Sequence, residues 1–137
     1  MVVTKKINNF KYSSEILSLR NRKYCRIQSL NQKIITKKKH EYWLNKFLKN
    51  KNIMYGIFDN KKFIGYIRIE KTKKNLVSWA ISKNYWGQIN FYKILKNKAK
   101  KNYTAKIKKE NKASQIVAIK AGFSFVKYYE NFLLFKK

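Results

Sequence analysis

Few side chains in this 137-residue chain could move a proton near neutral pH: one histidine, one cysteine and six carboxylates, set against 34 Lys and Arg. His40 is the one group whose unperturbed pKa lies near neutrality, and it precedes Trp43 by three residues, about one helical turn. In Phe63-Ile-Gly-Tyr-Ile-Arg-Ile-Glu70 the alternation would put Tyr66, Arg68 and Glu70 on one face of a strand. There Glu70 could relay a proton through water and Arg68 could hold a phosphate, or the two could form a solvated ion pair. Cys25 is alone, which excludes an internal disulfide, and no CxxC spacing points to a metal. It reads as a small buried hydrophobe rather than a nucleophile.

A second stretch of interest is Ile81-Ser-Lys-Asn-Tyr-Trp-Gly-Gln-Ile-Asn-Phe-Tyr-Lys-Ile-Leu95, a strand end, a polar turn and a helix start. A helix N-terminus attracts anions through its free amides and dipole, but one glycine stands where a phosphate loop would use two or three. By itself the turn is equally a plain strand-to-helix connection.

These groups must be positioned by the elements around them. Ser13-Ser14-Glu15 ahead of Ile16, Leu17 and Leu19 predicts a helix start with Ser13 or Ser14 as N-cap. After Thr36, the residues His40, Trp43, Leu44, Phe47 and Leu48 recur at helical spacing. The period then changes: Ile53 to Phe58 and Phe63 to Glu70 flank a polar turn as a hairpin, and Leu76 to Ile81 makes a third strand. Phe91, Ile94, Leu95 and Ala99 suit a helix face; Tyr103 to Ile107 alternates as a strand; Asn111 to Ala121 is helical, with Gly122 as its C-terminal stop. Phe123 to Tyr129 and Phe132 to Phe135 close the chain as a second hairpin around Glu130-Asn131. The order ααβββαβαββ gives an α/β (α+β) single domain over residues 1–137, a mixed, mostly antiparallel sheet flanked by helices.

The bulk composition fits that class. Hydrophobic residues make up 45% and aromatics 16%, so the charge of +28 decorates a folded body rather than a disordered tail. A charge of this size invites a polyanion, but only Arg20, Arg22, Arg26 and Arg68 are arginines, and arginine is the side chain that grips phosphates and base edges in bidentate fashion. Abundant Lys, Asn, Ile, Tyr and Phe, with no Pro, is also what an AT-rich genome writes. Nucleic acid is therefore the weaker partner class. The N-terminal stretch lacks the apolar core of a signal peptide and no apolar run reaches the roughly 18 residues of a membrane span, so a cytoplasmic protein is expected.

The element order, together with Ile81 to Phe91 and with Ala105-Lys-Ile-Lys-Lys-Glu-Asn-Lys-Ala-Ser114 leading into Lys120-Ala-Gly-Phe123, resembles the GCN5-related N-acetyltransferase superfamily. Within it, Leu19-Arg-Asn21 and the Ile35 to His40 and Trp43 stretch resemble the branch that acetylates amino groups of sugar nucleotides for surface polysaccharide, the pseudaminic-acid pathway type. The resemblance implies an opening beside the Leu76 to Ile81 strand that takes acetyl-CoA as cosubstrate, with Trp79, Ala80 and Ile81 pairing with its pantetheine arm. It places the pyrophosphate loop on Trp86, Gly87, Gln88, Ile89, Asn90 and Phe91, where Ile89 and Phe91 stand in place of the family's glycines. Lys83, Lys93 and Lys96 lie close enough in sequence to add charge to that loop. Asn111 matches an asparagine that contacts the arm, with Ser114 one turn on; Asn111 is equally a good helix N-cap.

Two common catalytic positions of the family fall on residues without the chemistry, a carboxylate position on Leu76 and a tyrosine position on Ala118. His40 and Glu70 then remain as candidate bases, with Arg68 and Trp43 as candidate substrate contacts. Tyr42, Trp79, Trp86, Tyr128 and Tyr129 could also stack on a sugar or a uracil, or simply pack the core. The implied activity is direct acetyl transfer, in a ternary complex, to the amine of a small, nucleotide-linked amino sugar. Two alternatives stay open: a protein N-terminal amine as acceptor, and a noncatalytic protein of the same fold that binds nucleic acid or another polyanion. Monomer and homodimer are both compatible with the sequence.

Overall fold

The computed structural model describes residues 1–137. A seven-stranded sheet, β1 (Val2–Lys6), β2 (Ile53–Asp59), β3 (Lys62–Glu70), β4 (Leu76–Ile81), β5 (Thr104–Ile107), β6 (Ser124–Tyr128) and β7 (Leu133–Lys136), runs in the order β1-β2-β3-β4-β5-β7-β6. Helices α1 (Ser13–Asn21), α2 (Lys23–Arg26) and α3 (Lys37–Lys49) precede β2; α4 (Phe91–Lys98) and α5 (Lys112–Lys120) flank β5. All pairings are antiparallel except β4 with β5. The expected mixed, mostly antiparallel architecture is thus what the chain adopts, with β1 and the single turn α2 added to the expected elements.

Alternation along the strands divides the interior in two. Seventeen buried residues, among them Ile67, Ile69, Val77, Ile81, Phe91, Leu95, Ala105, Ala118 and Phe135, fill the side carrying α4 and α5. Ile7, Ile16, Leu19, Phe47, Met54 and Tyr66 fill the side carrying α1 and α3. A bulge lets one strand serve both: pairing passes from Ile57↔Gly65 to Phe58↔Phe63, so Ile64 is supernumerary and turns to the first cluster while Phe63 packs on the second.

Local chemistry fixes the helix ends. Thr36 accepts the Lys39 amide at 3.2 Å as N-cap of α3, and Asn111 accepts the Ser114 amide at 3.1 Å as N-cap of α5. At the far end of α5, Gly122 takes φ +98°, with Gly122 N–H donating to Ile119 and Phe123 N–H to Ala118. That is a complete Schellman pair, closed by contact of Phe123 and Ala118 in the core. The α1 start differs from expectation. Tyr12, not Ser13 or Ser14, is the N-cap, with no side-chain cap, because Ser13 N–H is already used in a turn to Phe10 and Ser13 is the first helical residue. β1 was illegible because it is an edge strand whose residues are exposed or half-buried, so its pattern carries little hydrophobic signal; the register to β2, not its own composition, makes it a strand. No helix is long and apolar enough to cross a membrane.

Of the two glycines in the sheet, Gly65 leaves the less room: a Cβ there would stand 2.5 Å from the Ala80 carbonyl oxygen and 2.6 Å from Ile81 Cδ1. Gly65→Ala must therefore push β3 from β4 where both are buried. Urea denaturation should show a loss of about 2 kcal/mol or more, as for other overpacked core positions; a loss below about 0.5 kcal/mol would mean the two strands are not held at this distance.

Candidate functional site

β4 and β5 share a single register pair, Leu76↔Thr104, fastened by Thr104 N–H to the Asn75 carbonyl at 3.2 Å. Beyond it the two strands part. On the other side β4 is zipped to β3 along its whole length, and the bond from Ser82 N–H to Ile64 sets the phase: even-numbered residues direct their backbone groups to β3. Trp79 and Ile81 therefore turn N–H and C=O into the gap, whereas Ala80 is consumed by its pairing with Tyr66. A stretch of open strand edge inside a sheet is a place for an extended ligand to add itself.

The gap ends at the β4–α4 connection, which is tethered at three points. Tyr85 Oη donates to Asp59 at 3.0 Å, Trp86 Nε1 donates to the Ile81 carbonyl at 2.9 Å, and Lys83 N–H donates to Tyr24 Oη at 3.2 Å. Tyr24 also meets the Trp86 ring edge-on at 5.3 Å. Within the tethered loop the amides of Gly87, Ile89, Asn90 and Tyr92 donate to no acceptor in the chain. Gly87 takes φ +73° with nothing near its missing Cβ, and Gln88 and Asn90 are exposed. Phe91 is buried in the core with its ring 6.2 Å from Trp79, and Ile89 packs on the same cluster. These two side chains anchor the loop from below rather than crowd its amides. Lys83, Lys93 and Lys96 are all exposed.

Asn111 and Ser114 are joined to each other by the cap, and both are half-buried. Ala118 is fully buried, so packing takes up the position where the family resemblance implied a tyrosine.

On the α1/α3 side of β3 and β4 lies a polar cluster. Arg68 Nε is 3.3 Å from Glu70 Oε1, and Lys73 Nζ is 3.3 Å from Glu70 Oε2. The Arg68 contact is a charge pair of poor angle rather than a hydrogen bond, since Nε is buried without a hydrogen-bonding partner; Nη2 donates to Ser78 Oγ at 3.3 Å. Glu70 is buried, and in the ladder it stands opposite Leu76. Cross-strand pairing thus puts the Glu70 carboxylate on the same face of the sheet as the Leu76 side chain. Trp43 receives two guanidinium groups, Arg20 at 4.4 Å and Arg68 at 5.2 Å from the ring centre.

Arg20 went unnoticed in the sequence beyond its place in Leu19-Arg-Asn21. It has no carboxylate within salt-bridge distance; its polar contact is Nη1 to His40 Nδ1 at 3.2 Å. Burial, and secondarily Arg68, lower its pKa, while Tyr66 and Glu70 act the other way. With His40 neutral, Arg20, Arg68 and Lys73 face one carboxylate, a net charge of +2 (three positive, one negative). The signal that could have found Arg20 is helical spacing, since it follows the buried Ile16 by four residues on the inner side of α1.

His40 is 1% exposed, and its ring stacks obliquely on Trp43 at 5.8 Å. Burial first, then Arg20, lower its pKa to about 4. Since an arginine can only donate, Nδ1 is the acceptor, and the protonated Nε2 is buried with no acceptor in good hydrogen-bond geometry; the Ser13 backbone nearby offsets only a minor part of the lowering. This ring holds Arg20 in place and has little capacity to take a proton at neutral pH. Burial raises the Cys25 thiol to about 11 and raises the Tyr66 hydroxyl, so neither is an activated nucleophile. No three His, Cys, Asp or Glu side chains converge as for a metal ion.

No protein-family model matches the chain, and no curated relative matches it. Its fold does match solved structures. A domain from Methanocaldococcus jannaschii superposes with a TM-score of 0.80 at 17% identity, covering 100% of this chain and 97% of that one. An acetyltransferase of the GNAT family from Streptococcus pneumoniae gives 0.68 at 17% identity over 100% and 99%. The microcin C7 self-immunity acetyltransferase, solved with acetyl-CoA and AMP, gives 0.73 at 13% identity over 98% and 91%. The chain therefore has the GCN5-related N-acetyltransferase fold, and the opening between β4 and β5 lies within it.

His40 makes stability depend on pH. Its folded-state pKa is depressed from 6.5 to about 4, so the unfolded chain binds the extra proton first as pH falls. Its contribution is fully present above about pH 6.5 and is lost between there and about pH 4, by up to roughly 3 kcal/mol. Unfolding free energies measured at pH 7.0 and 4.5 should converge in His40→Gln relative to the parent; an unchanged pH slope in the variant would show that the ring is solvated in the folded protein.

Proposed function

We propose that this protein is an acetyl-CoA-dependent N-acetyltransferase whose acceptor is a small amine carrying an anionic group, a nucleotide-linked amino sugar. The observation that carries the reading is the parting of β4 from β5 after one register pair, with the gap ending at a loop of undonated amides. Trp79 and Ile81 would hold the pantetheine arm through backbone groups, and the Gly87 to Tyr92 loop would hold the pyrophosphate, with Lys83, Lys93 and Lys96 adding charge around it. Ala80 supports this edge from behind through Tyr66. Asn111, with its side-chain oxygen committed to the cap, retains its amide NH2 to donate to the arm, and Ser114 buttresses it. The thioester, when bound, supplies the activated acetyl group. Trp79 N–H is the donor best placed along the open edge to stabilise negative charge on the acyl oxygen.

The chain's remaining tasks are to orient the amine and remove its proton. Glu70 is the better base than His40: its carboxylate lies across the ladder from the family's carboxylate position, whereas the His40 nitrogens are sealed and one is bonded to Arg20. Arg20 suits an acceptor phosphate, since a half-buried guanidinium without a carboxylate partner favours an anionic ligand, and Arg68 beside it, paired with Glu70, would add a second guanidinium. Trp43, already flanked by both, would be the flat surface for the acceptor's ring. The AMP bound in the microcin acetyltransferase supports a nucleotide moiety on the acceptor. A protein N-terminal amine is a cation and fits a +2 cluster poorly. The role that follows is amino-sugar acetylation for surface polysaccharide, in the cytoplasm.

Acetyl-CoA should raise the melting temperature in a concentration-dependent way, because a ligand of the native state stabilises it by mass action. A flat response up to millimolar ligand would leave a noncatalytic protein of the same fold. Given binding, Glu70→Gln should lower kcat about 10²-fold or more, and Glu70→Gln/Leu76→Glu should recover part of the loss by returning the carboxylate across the ladder. Full activity in Glu70→Gln would remove this residue from the reaction.

A further inference from the structure

Helix α1 packs on β3 and β4, and the segment after α2 reaches the end of β5, where Lys108 Nζ donates to the Ile27 carbonyl. On the β5–β7–β6 half the register sets Lys106, Leu134 and Lys127 in one cross-strand row and Thr104, Lys136 and Ser124 in the next. Their neighbours on the opposite face, Ala105, Ile107, Leu133 and Phe135, are buried in the α4/α5 core, whereas Lys106, Lys127 and Lys136 stand in solvent. At the hairpin end of the rows Tyr129 and Phe132 stack at 4.7 Å and 16°, fastened by Tyr129 N–H to the Phe132 carbonyl. Lys106 Nζ lies 5.2 Å over the Phe132 ring and Lys127 Nζ 5.1 Å over the Tyr129 ring. The inner ring faces oppose each other, so the lysines take the outer ones. Glu130 at the hairpin tip is the one carboxylate on this hairpin.

We propose that this open half-sheet binds single-stranded nucleic acid, with bases stacking on the Tyr129/Phe132 pair and phosphates held by Lys106, Lys127 and Lys136. Stacking and charge are the two terms such surfaces use, and neither needs the bidentate arginine contacts whose scarcity argued against a reader of base edges. A base that takes the place of a lysine over a ring leaves that ammonium free beside the strand for a phosphate. Lys106 and Lys127 lie on strands separated by β7, about 10 Å apart, so they flank the aromatic pair rather than crowd one phosphate. A membrane surface fits less well: Leu134 lies half-buried in the plane of the sheet, and the aromatic rings stack on each other instead of projecting for insertion.

The surface adjoins the β4–β5 gap through β5, but its stacking pair lies on the β6–β7 hairpin, and its test needs no acetyl-CoA. Fluorescence anisotropy should be read with a labelled 12-nucleotide oligothymidine and with an abasic 12-mer of the same backbone. The parent protein should bind the oligothymidine about 5-fold or more tighter than the abasic strand. Tyr129→Ala should erase that preference; Tyr129→Leu, which keeps apolar bulk, should erase it too and guards against a folding defect, checked by thermal melting. Lys106→Gln/Lys127→Gln should shallow the slope of log affinity against log salt by about 1.4, two phosphate contacts on a single strand, while Lys38→Gln/Lys39→Gln on α3 should keep the base preference intact. Equal affinity for the two strands, a preference that survives in the Tyr129 variants, or competition by phosphatidylserine vesicles as strong as by unlabelled oligothymidine would each overturn the proposal.

Discussion

The molecule is organised by an interruption in its hydrogen bonding. After Leu76↔Thr104, β4 and β5 cease to pair, although both continue and each is fully paired on its other side, β4 with β3 and β5 with β7. Unpaired backbone groups inside a sheet are costly unless water or a ligand takes them up, so an opening of this kind persists only where the surrounding structure enforces it. The enforcement here comes from both sides. Phe91, Leu95 and Ala99, on and after α4, share one buried cluster with Val77 and Ile81 of β4 and with Ala105 and Ile107 of β5. The tethers at Tyr85, Trp86 and Lys83 then fix the loop that closes the opening.

The path of that loop is set by the same packing. Ile89 and Phe91 are anchors in the core, so the loop is held by hydrophobic burial from below while its amides stay undonated. Glycines allow a loop to approach an anion closely; here a single one, Gly87, takes the left-handed conformation, and the rest of the path is set by side chains. Trp86 adds a polar tether of its own by donating to the Ile81 carbonyl, a backbone acceptor on the open edge.

The polar cluster on the α1/α3 side shows how charge is managed where acids are scarce. Six carboxylates serve 34 cations, and Glu70 is shared by Arg68 and Lys73. Arg20 obtains no carboxylate and relies on an indole face and a neutral imidazole, both weak partners for a desolvated guanidinium. The loop before α3 is fastened around this group: Asn21 exchanges two hydrogen bonds with the Ile35 backbone, at 2.7 and 2.8 Å, and Arg26 donates to the Asn21 and Gln32 carbonyls. The segment that follows Arg20 is thus tied down at its base.

The sequence alone determined the strands from Ile53 to Ile81, the three longer helices after Thr36, Tyr66, Arg68 and Glu70 on one face, and the Gly122 stop, because period and turn chemistry are local properties of neighbouring residues. It also carried the family resemblance that located the loop at Trp86 to Phe91. It could not reveal β1, whose pattern is that of an exposed edge, nor the cap of α1, which a preceding turn decides. What only the tertiary structure decided are relations between residues distant in the chain: Glu70 opposite Leu76, Ala80 turned to β3 while Trp79 and Ile81 face the gap, His40 buried against Arg20, and Lys106 and Lys127 either side of an aromatic pair. Register and burial decide these, and both are set by strand pairing across the whole sheet, which local pattern does not encode.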